Sequence, residues 1–161
     1  MSSSDRRAVV LSLLALGGCG FTPIYGPGGA AEGLRNQIAF DEPSDRLRFI
    51  LVRQLEARLG VPSDPRYRLS ASVRRGEERI AVTSEGVTNR FQLLGVVDYA
   101  VRDAGTERRL TSGTVRNFVS YSATRTTVAT RAAENAAEER LMRILADQIV
   151  AELLATSPGW T

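Results

Sequence analysis

The chain contains no histidine and no lysine, so all 21 of its basic residues are arginine, and it has one cysteine, Cys19. Without an imidazole there is no histidine base, and with the lone thiol committed elsewhere there is no thiolate nucleophile, no disulfide and no zinc site. Aromatic residues make up only 6%. No apolar run reaches the roughly 20 residues that a permanent membrane helix requires. Gly26, Gly28 and Gly29 resemble a phosphate loop in composition alone, since no strand precedes them and no lysine follows. The neighbouring carboxylates Glu77 and Glu78 read as solvated charge in a hairpin-like turn. Glu138 and Glu139 read as solvated charge on a helix among Arg131, Arg140 and Arg143. These absences point away from an enzyme, and no metal or cofactor is expected.

What the chain does have is a leader. Arg6 and Arg7 precede the apolar run Ala8 to Leu16, and Leu16, Gly17 and Gly18 lead directly into Cys19. Arginines hold the cytoplasmic side, the short apolar run enters the bilayer, and the glycines let the backbone fit a lipoprotein signal peptidase. Residues 1–18 are therefore expected to be removed and the Cys19 thiol to carry lipid, an anchor whose several acyl chains make it effectively permanent. Gly20 is not the aspartate that commonly retains lipoproteins in the inner membrane, so the periplasmic face of the outer membrane is the expected address.

The sequence pI is about 9.6. A basic surface usually suggests nucleic acid, but an anchored extracytoplasmic domain does not meet it. The anions there are phosphates of lipids and lipopolysaccharide, which the planar arginine fork holds in a bidentate way.

Residues 19–33 form a lipidated tether with a sticky start in Phe21, Ile24 and Tyr25. A first strand is expected over Leu34 to Phe40. Ser44 is the expected N-cap of a helix from Asp45 to Leu59, with Leu47, Ile50, Leu51, Leu55 and Leu59 as its apolar stripe and Gly60 as its stop. Tyr67, Leu69, Ala71 and Val73 then alternate with polar residues as a half-buried strand. A longer strand places Phe91, Leu93, Gly95, Val97, Tyr99 and Val101 on one face. A tight turn at Asp103 to Thr106 returns the chain along Arg108 to Tyr121 as an antiparallel partner. A last helix, Thr126 to Ala155, carries the stripe Leu141, Ile144, Leu145, Ile149 and Leu153, and residues 157–161 end the chain as a tail. The order of elements predicts one α+β domain over residues 34–156, a two-layer sandwich with two helices on one face of a roughly four-stranded mixed sheet.

The lipobox followed by Cys19, Gly20, Phe21, Pro23 and Tyr25, the long strand approached through Thr88, Asn89 and Arg90, the turn at Asp103 and Gly105, the returning strand ending in Ser120 and Tyr121, and the helix start from Ala129 to Glu134 together resemble the LptE family of lipopolysaccharide-assembly lipoproteins, in its short alphaproteobacterial form. The resemblance covers almost the whole chain after the leader. It implies a non-enzymatic plug inside the outer-membrane barrel LptD, which the protein helps to assemble, and contact with lipopolysaccharide in transit. The alternative is a periplasmic auxiliary lipoprotein of a lipid ABC transporter. Arg74, Arg75 and Arg79 near a turn, Arg90 opening the long strand, and Arg131 near the start of the last helix, where the family tends to be basic, are the candidate lipopolysaccharide contacts. The exposed side of the sheet and the strand ends are the expected barrel contact.

Overall fold

The structure is a computed structural model that describes residues 30–82, 88–123 and 126–160. A short helix α1 (Ala30–Leu34) leads into β1 (Ile38–Phe40), followed by α2 (Arg46–Leu59), β2 (Tyr67–Val82), β3 (Thr88–Asp103), β4 (Arg109–Ser122) and α3 (Thr127–Thr156), with a 3-10 turn at Ser157–Gly159. The four strands form one mixed sheet in the order β1, β2, β3, β4. β1 and β2 run parallel and are joined through α2, while β2, β3 and β4 form an antiparallel meander. Both long helices lie on one face, so the expected α+β two-layer sandwich is the observed fold.

Period-two alternation decides which side of each strand enters the core. Tyr67 and Leu69 of β2, Leu93, Val97, Tyr99 and Val101 of β3, and Val115, Val119 and Tyr121 of β4 are buried beneath the helices. From α2 come Leu51, Leu55 and Leu59, with Leu47 and Ile50 at the margin of the core. α3, 30 residues long, buries Leu141, Leu145, Ile149 and Leu153 together with Met142, Ala146, Val150 and Leu154. That wide apolar arc is what lets one helix cover the sheet and meet α2 at the same time. Close approach requires Gly95, where an added Cβ would lie 2.8 Å from Cδ1 of Leu145 and 3.0 Å from Cδ2 of Leu141.

Several boundaries differ from those read in the sequence. Leu34 closes helix α1 and is fully buried, and the strand begins only at Ile38. The N-cap of α2 is Asp45, whose carboxylate accepts from the Arg48 backbone N–H at 3.0 Å, while the Ser44 hydroxyl donates to that same side chain. Gly60 ends α2 at φ 81°, a left-handed backbone in which a side chain would also collide with Asn36. β2 does not stop near Arg74. It runs on to Val82, so Glu77 and Glu78 lie within a strand and not in a turn. The last residues also pack: Ser157 is buried, and the Trp160 ring meets Tyr67 edge-on at 5.3 Å between centroids.

Candidate functional site

The sheet's second face carries no helix among the described residues. Register sorts its side chains into rows that cross β2, β3 and β4: Ser70, Ala100 and Ser112; then Ser72, Asp98 and Thr114; then Arg74, Val96 and Arg116; then Gly76, Leu94 and Phe118. Towards the Asp103 turn the rows are small and hydroxylated and floor an open trough of about 680 Å³, with Arg48 and Arg109 among its lining residues. Towards the β2/β3 hairpin one apolar row, Gly76, Leu94 and Phe118, is followed by the polar row Glu78, Gln92 and Ser120. Phe118 is 58% exposed beside Leu94, and Ile80 further along β2 is 48% exposed. The surface is mostly polar, with one ion pair, Arg74–Asp98, and an apolar patch around Leu94 and Phe118.

The candidate arginines are divided between the two faces. Arg74 lies on the open face and pairs with Asp98 at 2.5 Å; Asp98 also accepts from the Thr114 hydroxyl at 2.7 Å. The Thr114 hydrogen bond and then Arg74 hold the Asp98 carboxyl below its ordinary range. Arg75, one residue on, points to the helical side and pairs with Glu134 at 2.5 Å, Glu77 at 3.1 Å and Glu138 at 3.4 Å. Arg79 sits opposite Phe91, whose ring stacks on Tyr121, and Arg90 sits opposite Ser122 on the other face. Both arginines are exposed. Arg131, on the first turns of α3, reaches Glu134 only at 4.0 Å. The fold therefore brings Arg75 and Arg131 to one acidic side chain, leaves Arg79 and Arg90 near the free end of the hairpin, and sets Arg74 apart. Cys19 and residues 20–29 of the expected tether lie outside the described residues, and its last residues, 30–33, belong to helix α1.

Sequence reasoning missed the polar knot on the helical side. Glu138 is buried, not solvated: it is bonded to Arg46 of α2 and approached by Arg75 of β2. The Tyr121 hydroxyl donates to Glu77 at 3.1 Å, and burial followed by that carboxylate raises its pKa to about 12. At the opposite end of the core the Tyr99 hydroxyl donates to Glu152 at 2.6 Å, and burial pushes its ionisation well above the ordinary value. These carboxylate–arginine and carboxylate–phenol contacts tie α2, α3 and the sheet together. A heptad-like scan of α3 does show Glu134 and Glu138 on one face, which is the only signal that could have revealed them.

Among solved structures, a protein of Caulobacter crescentus CB15 described as a lipoprotein superposes with a TM-score of 0.70 at 28% identity, covering 83% of this chain and 99% of that one. The rare lipoprotein B of Shewanella oneidensis gives a TM-score of 0.59 at 15% identity over 76% of this chain and 96% of that one, a likeness of fold. A minor lipoprotein of Acinetobacter baumannii gives 0.55 at 17% identity over 74% and 90%, again a likeness of fold. No curated protein sequence matches the chain. The family model described as LptE, Lipopolysaccharide-assembly, matches residues 36–153, from just before β1 almost to the end of α3. The chain belongs to the LptE family of lipopolysaccharide-assembly lipoproteins.

Proposed function

We propose that this protein is anchored through Cys19 at the periplasmic face of the outer membrane, fills the lumen of an LptD-type barrel, helps that barrel assemble, and contacts lipopolysaccharide on its way to the surface. The observation that carries the reading is the uncovered sheet face. Its hydroxyl rows, arginine–aspartate pair and single apolar patch at Leu94 and Phe118 match the mixed, largely polar lining of a large barrel better than they match a lipid acyl phase. A packed body behind that face gives the rigidity a plug requires. Arg79 and Arg90 near the hairpin end, with Arg131 at the start of α3, supply cations for lipid A phosphates. Arg74 and Arg75 are held in ion pairs and reach a phosphate only by exchanging partners.

The test is affinity purification of the full chain from detergent-solubilised outer membrane. Recovery of an LptD-type barrel in a stable complex is the expected result. Recovery of an inner-membrane lipid transporter without any barrel overturns the reading in favour of the auxiliary-lipoprotein alternative.

A further inference from the structure

One row of the open face remains unexplained by that reading. Arg68 of β2 stands opposite Arg102 of β3, and Arg102 stands opposite Arg109 of β4, so three arginines lie side by side across three strands. The register shift at this point skips Leu110, which packs against the core and leaves Arg109 facing Arg102. All three are exposed, and none forms an ion pair among the described residues. Like charges directly opposite on a sheet are destabilising. The nearest turn carboxylate, Asp103, is occupied: it accepts from the Gly105 and Thr106 backbone N–H groups and from the Thr106 hydroxyl. Ser70 and Ser112 of the adjoining row add hydroxyls beside the arginines.

The row also has a defined place relative to the N-terminus. α1 packs against α3 and the 3-10 turn, and the Gln37 carbonyl that follows it accepts from the backbone N–H groups of Arg66 and Tyr67, immediately before Arg68. The stretch from Cys19 to Ala30 spans at most on the order of 40 Å. The arginine end of the domain is thus the end held nearest an anchor at Cys19.

We propose that Arg68, Arg102 and Arg109 dock on the anionic phospholipid headgroups of the membrane in which the chain is anchored, holding the Asp103-turn end of the domain at the headgroup layer. The docking rests on the anchor in the proposed function but not on the barrel. Three arginines at an anionic surface are worth on the order of a hundred-fold in partitioning, and the effect weakens with salt.

The experiment reconstitutes the full chain in phosphatidylcholine vesicles with and without phosphatidylglycerol and modifies arginine with phenylglyoxal, read by mass spectrometry. Arg68, Arg102 and Arg109 should react several-fold more slowly on the anionic vesicles, with Arg53 of α2 unchanged. Equal reactivity on both vesicles overturns the proposal, as does equal protection by inorganic phosphate on neutral vesicles, which would mark a free-anion site. Failure of the chain to float with neutral vesicles would contradict the anchor instead. In that event R68Q/R102Q/R109Q should still bind anionic vesicles on the order of a hundred-fold more weakly than the unmodified sequence, and equal binding would refute the docking. Thermal unfolding of R102Q gives an independent reading: relief of like-charge opposition predicts a Tm at or above that of wild type, and a marked fall would show that Arg102 serves the fold.

Discussion

Gly95 shows how a single residue sets the distance between layers. With the Leu141 and Leu145 side chains pressed against its backbone, any side chain there must displace those leucines or the helix that carries them. Gly95→Ala should lower stability by about 1 to 3 kcal/mol through overpacking, measured by denaturant unfolding. Gly76→Ala, where the added Cβ would rest 3.9 Å from Cβ of Leu94, should change it little. Tyr121 makes a different statement at the same scale. Its phenol pKa is raised from 10.0 to about 12 in the folded protein, so the folded state holds that proton more tightly than the unfolded chain. The corresponding stability is fully present below pH 10 and is lost as pH rises through 12. Tyr121→Phe should therefore lower stability near neutral pH by about 1 kcal/mol and flatten part of the alkaline decline. The remaining slope is carried by Tyr99, whose ionisation is displaced in the same direction. An unchanged alkaline slope would show that the Tyr121 phenol does not ionise above its ordinary value in the folded protein.

At the scale of elements, the polar knot fastens α2 to α3 and both to β2. Glu138 is its centre: Arg46 and Arg75 reach it from two other elements, and Arg46 is also 3.9 Å from Glu139. Glu138→Gln should cost about 1 to 2 kcal/mol, because both arginines remain partly in water and recover some hydration. A double-mutant cycle with Arg46→Gln should give a clear coupling energy; additivity would mean that the pair contributes nothing. This knot also explains what could and could not be read from the sequence. Strands β3 and β4, their hairpin and the stripes of α2 and α3 were legible because apolar residues there recur at the period of the element. The continuation of β2 past Arg74 was not. Beyond the core, its helix-facing positions are Arg75 and Glu77, whose partners lie on α3 and β4, and no alternation of apolar and polar marks them as strand. Burial of Glu138 was equally hidden, since Arg46 stands 92 residues away. The short strand β1 was displaced in the reading because Leu34 is buried through a helix, which one leucine cannot signal. Individual arginines were legible as candidates, but their distribution over two faces, and the row of Arg68, Arg102 and Arg109, exist only once register is fixed.

As a whole, the described residues form one body with one sheet face covered by helices and the other uncovered. Among the described residues no helix is long and apolar enough to cross a membrane, and the proposed anchor is the lipid on Cys19. Cys19→Ala should leave a form that keeps its leader or is released from the membrane fraction, seen by mass spectrometry and fractionation; a variant processed and anchored as wild type would refute that reading. The central claim is that the uncovered face meets the barrel. Phe118 on that face and Phe49 on α2 are similarly exposed, at 58% and 51%, but lie on opposite sides of the domain. A photo-cross-linking residue placed at each position in growing cells tests the claim most directly: strong capture of an LptD-type barrel from position 118, exceeding that from position 49, is the predicted result, and capture from position 49 with none from position 118 would contradict it.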